Sequence, residues 1–331
     1  MFKYIIHQMS DDKICFLIPI YPTHYNYLTF LNKLNKDHTF TIIFILTYIN
    51  DKILLIKLLE NKRVITSSFT NIKFITLEEN INIAPYINKF NDRNLGIINI
   101  KKFYGLYYVI NNTEYDKYDY IAAIDSEIEF INVTNLYSRF KLYCEKKLVI
   151  SGNTSIKNII HNFLDNIHIK CIEHFNKNDI NLINSETNNG NYYFWYSDIN
   201  IYDRKILPDF FKYIRFDDTT NNFLEFIKKI NFWSFEYIIY YYYCIVFQNY
   251  KIKCMENYDI KRQWSMEAAP YDIYMQVKQK IYYTSNIVIG NCYYKNKDKF
   301  KKENDEPVFI YNLNNGRYNN IYNRVVDYLD N

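Results

Sequence analysis

Two carboxylates at the end of a short apolar segment are the residues best suited to carry chemistry. Residues 120–124 (Tyr-Ile-Ala-Ala-Ile) are followed at once by Asp125-Ser126-Glu127. The apolar segment is continuous and flanked by polar residues, which is typical of a strand covered on both faces. On an extended chain the side chains of Asp125 and Glu127 point the same way, so they can share a divalent cation that bridges to a phosphate. We therefore predict a metal and phosphate site at the carboxyl end of this strand.

The segments before this motif alternate between strand and helix patterns. This order predicts βαβ units with right-handed crossovers and a parallel sheet, whose ligands bind at the carboxyl ends of the strands. Gly105 lies inside the last predicted helix, where glycine costs ~1 kcal/mol relative to alanine, so we expect a close packing contact there. The strands are predicted from residue 13 to a Pro-x-x-Pro loop, over 40–47 and over 72–77, and the helices over 26–35, 51–61 and 99–110.

The Asp125-Ser126-Glu127 tripeptide after a buried strand resembles a variant of the Asp-x-Asp motif of GT-A fold glycosyltransferases, with Glu127 where the family usually has Asp. The resemblance is greatest over residues 13–130. It implies an α/β, GT-A-like (Rossmann-like) fold, in which helices flank a mixed, mainly parallel sheet and a smaller C-terminal acceptor region follows. Residues 1–150 would bind the nucleotide-sugar donor and 151–331 the acceptor, within one continuous globular unit.

The resemblance also implies roles for the residues that would contact the donor. The loop after the first strand would hold the nucleoside, with prolines fixing its dihedral angles and Tyr21 or His24 stacking on the base or bonding to the ribose. Basic residues before the acidic strand would contact the diphosphate. The candidate donor-binding residues are Pro19, Tyr21, His24, Arg93, Lys101, Lys102, Asp125, Ser126 and Trp233, and the candidate ligands for Mn²⁺ or Mg²⁺ are Asp125 and Glu127.

A second group of candidate residues lies in the later half, at the start of an apolar segment. Ser234 is expected to be a helix N-cap, which would place Glu236 in the first turn, where backbone amides favour an anion. In GT-A enzymes that invert, an acidic residue at such a helix start commonly deprotonates the acceptor, so the resemblance makes Glu236 the candidate catalytic base. Trp233 would supply an apolar surface for the sugar ring. The Asn-rich residues 176–191 are predicted to form a loop or hairpin turn between the two halves.

The histidines weaken the case for a metal ion. Many metal-dependent GT-A enzymes place a further ligand, often His, well after the acidic motif. The six histidines of this chain all lie before residue 175. An Asp or water would have to take that place, or the reaction would need no metal.

Composition narrows the class of protein and its partners. The net charge of +4 comes from 40 basic and 36 acidic residues with no long basic stripe, so nucleic acid is not an expected partner. The 6 cysteines form no Cys-x-x-Cys pair, which indicates core thiols and a reducing compartment. The longest apolar stretch, 237–247, falls short of the ~20 residues needed to cross a bilayer. We expect a soluble, cytoplasmic protein, with peripheral membrane contact as a minor alternative.

Two other functions stay open from the sequence. A sugar nucleotidyltransferase also uses paired carboxylates on a similar sheet, but it usually has a Gly-rich phosphate loop near the N-terminus, and the first glycine here is Gly96. A non-catalytic binding or interaction protein could retain the same fold. For the enzyme, the partners would be a nucleotide-sugar donor and a glycan or protein acceptor.

Overall fold

The structure, a computed structural model, describes residues 13–30, 40–61, 71–90, 96–126, 128–130, 136–153, 159–194, 199–217, 221–259 and 310–312. The described strands, in chain order, are β1 (Ile14–Pro19), β2 (Thr41–Leu46), β3 (Ile72–Thr76), β4 (Tyr120–Ile124), β5 (Ile128–Phe130), β6 (Leu148–Asn153), β7 (Tyr192–Tyr193), β8 (Ile199–Asp203), β9 (Lys251–Asp259) and β10 (Ile310–Asn312). The described α-helices are α1 (Ile49–Asn61), α2 (Ile87–Phe90), α3 (Ile97–Ile110), α4 (Leu136–Lys146), α5 (Ile159–Ile172), α6 (Lys177–Glu186), α7 (Leu207–Ile214), α8 (Asn221–Lys229) and α9 (Glu236–Phe247).

A five-stranded sheet in the order β3-β2-β1-β4-β8 forms the centre of the fold. The first four strands are parallel and β8 runs antiparallel to β4. This confirms the predicted α/β class with a mixed, mainly parallel sheet. Leu17 of β1 lies opposite Ile43 of β2 on one side and Ala123 of β4 on the other, so the strand order reverses between β1 and β4. In open α/β sheets a crevice at such a reversal is the usual ligand site.

Both faces of this sheet are covered, which explains why β1, β2 and β4 are apolar and buried along their whole length. Leu55 and Leu59 of α1 belong to the core on one face. On the other face, α3 packs so closely that a Cβ atom on Gly105 would lie 2.2 Å from Ile45 Cδ1 and 3.3 Å from Leu17 Cδ1. The close packing contact expected at Gly105 is therefore confirmed, and it fixes how α3 sits on β1 and β2.

Two predicted elements differ from the structure. The Asn-rich residues 176–191 were expected to be a loop, but they contain helix α6, because Asn176 Oδ1 accepts a hydrogen bond from Asp179 N (3.0 Å) and Ile183 is buried. Only the end of the stretch is a turn, with positive φ at residues 188–190. The predicted helix over 26–35 overlaps a 3₁₀ helix at Pro22–Phe30, and residues 31–39 lie outside the described part.

The later half of the chain contributes both to the central sheet and to its cover. Besides β8, two small sheets are described, β7-β6-β9 and β5-β10. Residues 237–245 of α9, four consecutive tyrosines among them, are buried in the core. The cysteines at positions 15, 144, 171 and 244 are free thiols and buried, as expected for core residues. Within the described residues, no helix combines the length and the apolar character that a membrane span requires.

Candidate functional site

The carboxyl end of β4 carries the acidic motif next to the loop that follows β1. Asp125 comes directly after β4, and its side chain is 37% exposed. Ser126 is buried, and its Oγ lies 3.0 Å from Nδ1 of His24, which is in the 3₁₀ helix after β1. Glu127 lies outside the described residues. The end of β4 and the loop after β1 therefore meet, as expected for neighbouring parallel strands.

Lys101 of α3 lies at the β1 end of the site, which is the loop after β1. Its side chain is fully buried, Nζ donates a hydrogen bond to the carbonyl of Ile20 (2.9 Å), and Nζ lies 4.0 Å from the centre of the Tyr21 ring. These partners are uncharged, so burial lowers the pKa of Lys101 from 10.5 to about 7, with only partial compensation from Asp51.

Tyr21 and His24, the residues predicted to contact the nucleoside, lie beside Lys101. The rings of Tyr21 and His24 are 5.8 Å apart at 71°. Burial lowers the pKa of His24, and the nearby charge of Lys101 lowers it further, so this imidazole is neutral near pH 7. Pro19 is the last residue of β1, whereas Arg93 lies outside the described residues.

Lys102 lies between two carboxylates. Its Nζ is 3.1 Å from Asp125 Oδ1 and 3.6 Å from Glu236 Oε1, and its side chain is only 8% exposed. The three charged residues are far apart in the sequence. The structure therefore brings together the acidic motif, a predicted phosphate-binding lysine and the candidate base.

Glu236 is the first residue of α9 and is fully buried. Tyr202 of β8 donates a hydrogen bond to Oε1 (3.2 Å), while Oε2 has no hydrogen-bond partner among the described residues. Burial raises the pKa of this carboxyl, and Asp125 adds to the shift, while Lys102 opposes it. A buried carboxyl with a raised pKa can exchange a proton closer to neutral pH than an exposed one.

The segment before α9 is held against the start of α3. Asn99 Nδ2 donates to the carbonyls of Asn231 and Phe232 (3.0 Å each), and a Cβ on Gly96, which has φ +91°, would lie 2.5 Å from Asn231 O. This packing places the start of α9 beside the lysines of α3. Trp233, which is half-buried, lies in this segment.

The expected N-cap of α9 is corrected by the structure. Phe235, and not Ser234, is the N-cap residue, and its side chain makes no capping hydrogen bond. Ser234 Oγ instead accepts a hydrogen bond from Asn231 N (3.3 Å) within the preceding turn.

Two further residues of the site, Asn99 and Tyr202, were not predicted from the sequence. Asn99 anchors the segment before α9, and Tyr202 contacts the candidate base. Neither stands in a motif, because each contact joins segments more than 30 residues apart. The one available signal for Tyr202 is its place in a short strand-like stretch, which says nothing about its partner.

The described residues do not form a site suited to a divalent metal ion. Within them, no three His, Cys, Asp or Glu side chains cluster in a way that could hold one. Of the predicted pair, Asp125 is already ion-paired with Lys102, and Glu127 is not described. An ammonium group at contact distance repels a metal ion and neutralises the carboxylate that would attract it.

No protein-family model and no curated protein matches the sequence. Among solved structures, the chain is similar to the mannosyltransferase Ktr4p from S. cerevisiae, with 13% identity and a TM-score of 0.32 over 66% of this chain and 62% of that one. The complex of Ktr4p with GDP matches with 12% identity and a TM-score of 0.29, over 66% and 60% of the two chains. The apo form of mouse xyloside xylosyltransferase 1 matches with 8% identity and a TM-score of 0.39, over 91% and 96%. This chain thus spans about three fifths of the length of the mannosyltransferase.

Proposed function

We propose that this chain is a glycosyltransferase of the hexosyltransferase type, which moves a sugar from a nucleotide-sugar donor to a hydroxyl of a glycan or protein acceptor. The observation that carries the proposal is the meeting of Asp125, Lys102 and Glu236 beside the point where the strand order reverses. The region beside such a reversal is where an open α/β sheet usually binds its ligand. There the ammonium group of Lys102 would bind a diphosphate, and the buried carboxyl of Glu236 would accept a proton.

The donor would lie across the ends of β1 and β4. Tyr21 and His24 would contact the nucleoside, and Lys102 would face the diphosphate. When the bond from the sugar to the diphosphate breaks, negative charge grows on the departing oxygen. An ammonium group that the fold already holds in place stabilises this charge without reorganisation.

Glu236 would act on the acceptor. Its carboxylate would take the proton of the attacking hydroxyl while that oxygen bonds to the anomeric carbon and the nucleoside diphosphate leaves with the electron pair. Oε2 is the oxygen suited to this, because Oε1 is engaged by Tyr202 and Lys102. Since Glu236 is fully buried, the role requires that substrate binding expose this oxygen. Trp233, just before α9, would offer the sugar an apolar surface.

The proposal is tested by mixing the full chain with a panel of uridine and guanosine diphosphate sugars. A donor that binds the native state should raise the thermal midpoint by mass action, and the matching nucleoside diphosphate should be released slowly as the sugar passes to water or an added acceptor. The nucleoside monophosphates and the free sugars serve as matched ligand controls.

The products separate the alternatives. Formation of pyrophosphate from a nucleoside triphosphate and a sugar phosphate would instead make the protein a nucleotidyltransferase. Donor binding without release of nucleoside diphosphate would indicate a non-catalytic binding protein. If no nucleotide sugar in the panel shifts the midpoint, the proposed function is wrong.

A further inference from the structure

Resting on the proposed function, we propose that Lys102 supplies the positive charge that a divalent metal ion provides in related chemistry, so that donor binding needs no metal ion. The acidic motif at the end of β4 predicts a metal site, whereas the structure places the ammonium group of Lys102 there.

The ammonium group of Lys102 lies in contact with the acidic motif. Lys102 Nζ lies 3.1 Å from Asp125 Oδ1, which is the distance of a close ion pair. The carboxylate predicted to bind the metal therefore already has a cation beside it. Because this cation is covalently part of α3, it cannot be removed by a chelator.

Burial of Lys102 and Glu236 keeps the ammonium group in this place. The Lys102 side chain is 8% exposed, and its second carboxylate partner, Glu236, is fully buried. A surface lysine can swing away from an arriving metal ion at little cost. Moving Lys102 away would leave Glu236 buried without this cation, which makes displacement unfavourable.

Helix α3, which carries Lys102, is packed closely at two points. Gly105 allows α3 to lie directly on β1 and β2, and Asn99 ties the start of α3 to the segment before α9. The helix that carries Lys102 is thus fixed relative to both of its carboxylate partners. An ammonium group held in this way is preorganised to meet the charge of a diphosphate.

The first experiment measures the binding of UDP and GDP to the full chain by calorimetry, in EDTA and in Mn²⁺. We expect dissociation constants that agree within about twofold between the two buffers, as a metal-independent site requires. Lys102→Met should weaken binding in EDTA by about 10- to 100-fold, the loss of a charge-assisted contact to phosphate. Lys228→Met is the matched control, since it removes an exposed lysine paired with Glu225 and should leave the affinity unchanged.

A second variant covers the case in which Lys102→Met does not fold. Asp125→Asn removes a partly exposed carboxylate at a strand end, and circular dichroism should show the native fold. If Lys102 is the cation, this variant should bind UDP or GDP more tightly in EDTA, because the ammonium loses a competing anion. If Asp125 instead holds a metal ion, the variant should lose the Mn²⁺-dependent part of binding.

The outcomes distinguish this inference from the proposed function. Binding that appears only with Mn²⁺ or Mg²⁺ would overturn the role of Lys102 and leave the glycosyltransferase proposal standing. Binding in EDTA that Lys102→Met leaves unchanged would also overturn it. Failure of every nucleotide and nucleotide sugar to bind in either buffer would overturn both.

Discussion

The two ends of the site contain neighbouring lysines that the fold treats in opposite ways. At the β1 end, the contacts of Lys101 within the described part of the chain are with a backbone carbonyl and the face of Tyr21. At the β4 end, Lys102 meets the carboxylates of Asp125 and Glu236. Both side chains are buried, so their difference comes from their partners and not from their exposure.

This contrast shows what a buried cation needs in order to stay charged. Removing an ammonium group from water penalises its charged form, and uncharged partners compensate only in part. The pKa of Lys101 accordingly falls to about 7. The β1 end therefore carries a charge that varies near neutral pH, whereas the β4 end is built around opposite charges.

The largest effect is expected at the β4 end, from Glu236→Gln. Glutamine keeps the size and a hydrogen-bonding oxygen but cannot accept the acceptor's proton. If Glu236 is the base, transfer should fall by ~10²- to 10⁴-fold without a loss of donor affinity, because Lys102 keeps its positive charge when its carboxylate partner is removed. Steady-state kinetics with donor binding by calorimetry would measure both.

The pH profile sharpens this expectation. A base works only when deprotonated, and burial raises the pKa of Glu236 above 4.5, so wild-type transfer should increase as pH rises through that higher pKa. The variant should lose this dependence. Glu225→Gln, at an exposed glutamate of α8, is the matched control. Transfer within about threefold of wild type would mean that Glu236 only supports the fold.

A smaller effect is expected at the β1 end, from Lys101→Met. The folded-state pKa of Lys101, about 7, lies below the 10.5 of the unfolded chain, so between these values the unfolded state binds more protons. The free energy of unfolding contributed by this group therefore rises with pH over that window. The unfolding free energy of wild type minus that of Lys101→Met should therefore increase by about 2 kcal/mol from pH 7 to pH 9.

Urea denaturation at the two pH values would measure this difference. Lys89→Met is the matched control, since Lys89 Nζ also donates to a backbone carbonyl (Ile227, 3.3 Å) and lies 5.8 Å from a ring centre, but the residue is exposed. The difference in unfolding free energy between wild type and Lys89→Met should be the same at both pH values. A pH-independent difference for Lys101→Met would show that the uncharged surroundings do not perturb the amine.

The smallest effect is expected where the two ends meet, from Ser126→Ala. The bond between Ser126 Oγ and His24 Nδ1 joins the end of β4 to the loop after β1. Its loss should lower the free energy of unfolding by about 1 kcal/mol and weaken nucleotide binding several-fold, because His24 loses an anchor. Thermal denaturation and calorimetry would measure these changes, with the exposed Ser185→Ala as control. Unchanged stability and affinity would show that the two ends are not coupled through this bond.

Local patterns predicted the elements of the site well. The strand predicted at 120–124 is β4 as observed, and the helix predicted at 99–110 begins two residues earlier in the structure. Both have a hydrophobic pattern long or continuous enough to identify the element. The helix α6 was missed because its asparagines favour turns, and only tertiary contacts bury Ile183.

The partners of the site residues could not be read from local patterns. Lys101 and Lys102 were interchangeable candidates for the diphosphate, because both lie near the start of the same predicted helix. Adjacent helical residues point about 100° apart, so the rotation of α3 decides which lysine faces which strand end. That rotation depends on the packing of Gly105 against β1 and β2.

By itself, the sequence determined that a buried strand ends at Asp125 and that an apolar helix begins near Glu236. The hydrophobic pattern of a segment and the polar residues that flank it are local properties of the chain. Only the tertiary structure decided that Lys102 lies between these two carboxylates. It also decided that Lys101 has uncharged partners and that Tyr202 contacts Glu236. These outcomes depend on the pairing of β4 with β1 and β8 and on the packing of α3 and α9, which bring together side chains that are up to 134 residues apart in the chain. Burial and charge then act on the assembled groups, so their pKa values and their chemistry are properties of the fold.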